Sequence, residues 1–274
     1  MLPMLYAMDM DHLPIEITLD VLSISEPDTI ATFLRTGSKY REAAEPLLYR
    51  NITLKGPKPL GGLLASLEAK PQFGARVRQL VAHWASASDD STTSTYEVLT
   101  SLLERTVNLE SLVLRGFHEG IHLLSPLVRL RHVECDSFPR SPRAVFFLST
   151  IPNLRSIVLN QGAWSSINIW PDNASLERIW TAVLSKLTTY SGPSSILALL
   201  PKGTDLKHIQ TRDLERIINS LDDLRAATEG SIVSLECTPL PLHPPSIALY
   251  FPNVQFLGFF QIMTIPPQSV WVRM

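Results

Sequence analysis

One spacing governs what this chain can fold into. Three apolar residues in the order apolar-x-x-apolar-x-apolar recur along it, as at Leu109/Leu112/Leu114, Leu130/Val133/Cys135, Leu154/Ile157/Leu159 and Ile232/Leu235/Cys237. Further copies begin at Tyr49, Val77, Leu206 and Val254, with a degenerate one at Leu187/Tyr190/Gly192. The starting positions run from 49 to 254 with a mean separation of about 26 residues. The strongest copies read VNLESLVL, IPNLRSIVL and FPNVQFLGF. Because side chains alternate along a strand, the last two apolar residues of each copy share one face. Between copies lie stretches with helical periodicity: LGGLLASLEA, TYEVLTSLLERT, SPRAVFFLSTI, SLERIWTAVLSKL and DLERIINSLDDLRAAT. Strand alternating with helix at this pitch predicts an α/β fold, a stack of repeats with a parallel sheet inside and helices outside.

That period lies within the roughly 20–29 residues of leucine-rich repeats. Residues 49–274 therefore resemble an irregular leucine-rich-repeat solenoid. The two longest intervals hold weakly hydrophobic inserts, ASASDDSTTST and QGAWSSINIWPDNAS. The three anchors of each copy are expected to face the core. The residues between and just after them are expected on the concave face of the sheet: His83, Arg115, His132, Glu134, Asp136, Asn160, His208, Gln210, Arg212 and Glu236, ending in Phe256 and Phe260. A mixed-charge strip that ends in aromatics suits a protein target. The last copy ends near Phe260, and the segment FFQIMTIPPQSVWVRM offers no polar closing repeat, so a C-terminal end that is frayed, partnered or truncated is expected.

The N-terminal fifty residues follow a different pattern. Residues 1–11 are expected to be loosely held, and 12–48 to form three short helices. Ile15, Leu19 and Leu22 share a helical face that Ile17 and Val21 widen. Ser25-Glu26-Pro27-Asp28 reads as a helix start, and Gly37 as a stop. Ser38 can cap a third helix, which Pro46 should end or kink. Three short helices make a poor independent core, so such a unit is expected to lean on a partner or on the next domain. The segment then runs directly from LLYR into the first strand, Tyr49-x-x-Ile52-x-Leu54.

Leu13-Pro14-x-Glu16-Ile17, the Thr36–Arg41 segment TGSKYR and the exit Glu45-Pro46-Leu47-Leu48-Tyr49-Arg50 together resemble an F-box, in particular that of fungal F-box proteins. The resemblance covers roughly residues 12 to 54. It implies binding to the small Skp-type adaptor of cullin-based ubiquitin ligases through Leu13, Pro14, Ile17, Leu22, Ile30, Leu34 and Tyr40. Gly37 stands where the family usually has Cys or Ser, and Ser38 where it usually has Lys or Arg. The function so implied is that of a substrate receptor, with the repeats holding a protein target. The alternative is a repeat-type interaction scaffold without a ligase link, its helices serving as a cap.

Composition and motifs argue against chemistry. Formal net charge is −2, which favours neither a nucleic-acid groove nor an anionic membrane. No targeting segment or membrane span is read, and two cysteines in 274 residues fit a reducing cytosol or nucleus. Cys135 and Cys237 sit at equivalent positions four rungs apart, roughly 19 Å at about 4.8 Å per strand, too far for a disulfide. His118-Glu119-Gly120-Ile121-His122 matches HExxH literally, yet Gly116, Gly120 and Pro126 oppose the helix that such a zinc site requires. Trp164, Trp170 and Trp180 surround an insert and are read as packing or a binding loop. No catalytic residue, cofactor or metal is expected.

Overall fold

The computed structural model describes residues 14–25, 27–36, 41–83, 92–116, 127–135, 142–160, 174–211, 221–237, 249–260 and 269–273. Three helices open the chain: α1 (Ile15–Ser23), α2 (Pro27–Thr36) and α3 (Arg41–Leu48). Pro46 lies inside α3, two residues before its end. The last turn closes through tighter bonds, Tyr49 N–H to the Pro46 carbonyl at 3.3 Å and Arg50 N–H to that of Leu47 at 3.1 Å. The three helices share a small core of Leu22, Ile30, Leu34 and Ala44, with Leu19, Phe33, Leu47 and Leu48 against it.

Strand and helix then alternate. The strands are β1 (Asn51–Lys55), β2 (Gln79–His83), β3 (Ser111–Arg115), β4 (His132–Cys135), β5 (Ser156–Leu159), β6 (Thr189–Ser191), β7 (His208–Thr211), β8 (Ser234–Cys237), β9 (Phe256–Phe260) and β10 (Ser269–Arg273). Between them lie α4 (Pro57–Ala69), a 3-10 turn (Pro71–Arg76), α5 (Thr92–Arg105), α6 (Pro142–Thr150), α7 (Ala174–Leu184), α8 (Ser194–Leu197) and α9 (Leu221–Thr228). The strands form one sheet in chain order, with β1 to β9 all parallel. This is a solenoid-like α/β stack.

The register explains why the spacing recurs. Ile52, Leu80, Leu112, Val133, Ile157, Tyr190, Ile209, Leu235 and Leu257 pair in one unbroken column across nine strands. All nine are buried, and the inward side chains of the helices pack against them in one continuous core. Removing a Leu or Ile from such a column forfeits about 1.5–3 kcal/mol of transfer free energy, so no rung can slip by one residue without exposing its core face. A second core column holds Leu54, Ala82, Leu114, Cys135 and Leu159, then Thr211 and Cys237. Cys135 on β4 and Cys237 on β8 are buried thiols outside any disulfide.

Helix-to-strand turns carry a recurring lock. Asn108, Asn153 and Asn253 stand four residues before the column position of their strands. Each donates its side-chain amide to a backbone carbonyl of the preceding repeat: Ala75 at 2.8 Å, Val128 at 2.7 Å and Gly230 at 2.8 Å. Lys186 and Ser231 take the same place on β6 and β8, reaching the carbonyls of Ser149 (2.9 Å) and Leu206 (2.9 Å).

Two features complete the stack. The last strand, β10, runs antiparallel to β9, with Trp271 opposite Gly258, so an antiparallel neighbour covers the edge of β9. The connection from β6 to β7, residues 192–207, holds only the four-residue α8. Of the expected helix DLERIINSLDDLRAAT, residues 221–228 form α9 and 213–220 lie outside the described residues.

The helical unit meets the stack directly. The Tyr49 ring stacks on Phe73 with centroids 4.5 Å apart, Lys70 pairs with Glu45 at 2.7 Å, and the Lys70 ammonium sits 5.1 Å from the Phe73 ring centre. No helix among the described residues is long and apolar enough to cross a membrane.

Candidate functional site

Two surfaces remain after the core is accounted for. The first is α1. Its buried side consists of Thr18 and Leu22, and Thr18 also donates its hydroxyl to the Pro14 carbonyl at 3.2 Å. Ile17 and Val21 do not widen that buried side. They lie on a neighbouring side, 48% and 42% exposed, and Ile24 continues the line at 87%. Pro14, Ile17, Val21 and Ile24 are spaced 3, 4 and 3 residues apart, which sets them along one face of a helix. Ile15 is also exposed. A short helix with aliphatic side chains on both sides buries only one of them within its own chain.

The residues named from the F-box resemblance divide accordingly. Pro14 and Ile17 are at the surface, whereas Leu22, Ile30 and Leu34 hold the three helices together from inside. Leu13 and Tyr40 lie outside the described residues, as do Gly37 and Ser38. Val21 and Ile24 were not anticipated as surface residues. The signal that could have found them is the second i, i+4, i+7 stripe running beside the first.

The second surface is the face of the sheet turned away from the helices. Arg115 and Asn160 are exposed there, with His132 and Glu134 half-buried between them. Glu134 Oε1 accepts from Asn160 Nδ2 at 2.7 Å and pairs with Arg115 Nη2 at 3.2 Å, which ties β3, β4 and β5 together. His132 Nδ1 lies 3.0 Å from Ser156 Oγ on the next strand. Burial lowers the His132 pKa below the ordinary imidazole value, and the nearby Glu134 carboxylate only partly offsets this.

A separate chain runs across β6, β7 and β8. Ser191 Oγ donates to Gln210 Oε1 at 2.6 Å, and Gln210 Nε2 donates to Glu236 Oε2 at 3.0 Å. Glu236, expected to be displayed, is only 7% exposed and accepts the Gln210 amide. Burial, with Glu236 beside it, pushes the adjacent Cys237 thiol up to about 12, so it stays protonated at neutral pH. His83 is half-buried at the end of β2, in register with Arg115, and His208 is exposed at the start of β7. Phe256 is 44% exposed at the β9 end. Asp136, Arg212 and the His118–His122 motif lie outside the described residues, as does the side chain of Phe260.

The open face is thus a half-buried polar surface already braced by cross-strand hydrogen bonds, with Arg115, Asn160, His208 and Phe256 presented outward. Such a face can bind a polypeptide by complementarity. No protein-family model matches the chain, and no curated protein is similar to it in sequence.

Proposed function

We propose that this protein is a substrate receptor of a cullin-type ubiquitin ligase, its N-terminal helices acting as an F-box and its stack as a leucine-rich-repeat target platform. The observation that carries the reading is the exposed aliphatic stripe Pro14, Ile17, Val21 and Ile24 on α1. An unburied stripe of this kind on a three-helix unit needs a partner, and the F-box resemblance names a Skp-type adaptor. The short turn from α3 into β1, with the Tyr49–Phe73 stack and the Lys70–Glu45 pair, would transmit the adaptor's position to the target face. The protein itself would make and break no bonds. Its contribution would be to hold target lysines near a ligase assembled by others.

Pull-down of the full chain with purified Skp-type adaptor tests this. The wild type is expected to bind, and a Pro14→Ala, Ile17→Asp double variant to lose binding while keeping its fold. Absence of wild-type binding, under conditions where an established F-box protein binds, would refute the ligase role and leave the scaffold without it.

A further inference from the structure

The segments joining each helix to the next strand share one edge of the sheet, because every parallel strand starts there. Among the described residues these segments hold ten basic side chains against three acidic ones, Glu110, Asp205 and Glu229. The whole chain carries a formal charge of −2, so the excess is local. Backbone bonds stack part of it. The Arg50 carbonyl accepts from Arg78 N–H at 2.8 Å, and that of Arg78 from Glu110 N–H at 2.8 Å. The series continues through Arg131, Arg155, Thr188 and Lys207. At about 4.8 Å per strand, this column from β1 to β7 spans roughly 29 Å.

The fold itself employs several of these cations. Helix C-termini, the negative ends of their dipoles, point at this edge. Arg78 Nη1 covers the Asn108 carbonyl at 3.1 Å, and Lys186 covers two carbonyls. Lys70 and Lys207 pair with Glu45 and Asp205. Arg50, Arg76, Arg129 and Arg131 differ: all are exposed, and no side-chain hydrogen bond or ion pair engages them among the described residues.

We infer that this edge docks an acidic polypeptide segment of a partner protein. Nucleic acid fits less well. The chain's pI is about 6.4, whereas nucleic-acid-binding domains typically exceed about 9. Among the described residues the edge also lacks an exposed stacking platform: Phe73 and Phe251 are buried, and Tyr49 and Tyr250 are half-buried against them. A long polyanion would overrun the patch onto a chain that is net negative, while a short acidic segment would not. The inference does not rest on the adaptor reading, since the α1 stripe takes no part in it.

The test is fluorescence anisotropy of the full chain with a labelled oligoglutamate peptide of about ten residues, long enough at roughly 3.3 Å per residue to span the column. An oligoglutamine peptide and a thymidine oligonucleotide of similar length are run alongside. The glutamate peptide is expected to bind, more weakly at higher salt. Arg129→Glu with Arg131→Glu should weaken it at least about tenfold without lowering the melting temperature, and Lys58→Glu, exposed on α4, should leave it within about twofold. If that double variant is destabilised, Arg50→Gln with Arg76→Gln takes its place. No binding of the glutamate peptide, equal loss in Lys58→Glu, or preference for the oligonucleotide each overturns the inference.

Discussion

The Tyr190 hydroxyl lies 2.5 Å from the point where a Cβ on Gly192 would stand. Tyr190 occupies the core column where the other eight strands carry Leu, Ile or Val, and its hydroxyl donates to the Pro193 carbonyl at 2.8 Å. The larger side chain at one anchor is matched by the missing side chain at the next. The copy that reads as degenerate in sequence is therefore a compensated one.

Gly192→Ala should accordingly destabilise the fold by about 1–3 kcal/mol through overpacking. Adding Tyr190→Leu should recover part of that loss, because it vacates the space the new methyl needs. Urea denaturation of the four proteins in the cycle decides it. Additive losses would sink the shared-volume account.

The asparagine locks predict a second series. Asn108→Ala and Asn253→Ala each leave a repeat-turn carbonyl without its donor and should lower stability by about 1 kcal/mol. Asn153→Ala should do less, because its bond to Val128 is solvent-exposed. Replacement by Asp keeps the shape but turns the donor into an acceptor, so Asn108→Asp should be worse than Asn108→Ala. Thermal melts of the purified variants check the order.

On α1, surface and core separate cleanly. Val21→Asp should abolish the proposed adaptor binding with the melting temperature unchanged, since Val21 is exposed. Leu22→Ala, one residue along, should instead destabilise by about 2–5 kcal/mol, because Leu22 is in the small helical core. Binding measured beside circular dichroism distinguishes the two effects. A stable Leu22→Ala protein would contradict the assigned core.

The half-buried imidazole of His132 sets a pH dependence. Its folded pKa lies below the unfolded value near 6.5, so above that value it is neutral in both states and the native state is not penalised. As pH falls through 6.5, the unfolded chain takes up the proton first, and stability declines until the folded pKa is passed. His132→Asn should flatten this part of the stability-versus-pH curve. Denaturation of both proteins between neutral and mildly acidic pH measures the difference, and parallel curves would remove His132 from the account.

Much of this was legible in residue spacing. The apolar triplets placed all nine parallel strands, including the weak Leu187/Tyr190/Gly192 copy, because a strand buried on one face repeats its demand every second residue regardless of neighbours. Burial of Cys135 and Cys237 followed from the same register. What spacing could not decide was which side of α1 is covered. Ile15, Ile17, Leu19, Val21 and Leu22 are all aliphatic, and hydrophobicity alone does not say that α2 and α3 cover Leu22 and leave Ile17 and Val21 bare.

The chain's own residues determined the period, the strand order and the inward column, since each depends on local alternation and on burying the nearest apolar neighbour. Only the tertiary structure decided the rest: the antiparallel closing strand, the seclusion of Glu236 beside Gln210, the exposed stripe on α1 and the row of arginines along one edge. These depend on residues far apart in sequence meeting across strands about 4.8 Å apart, and no local pattern encodes which of them will meet.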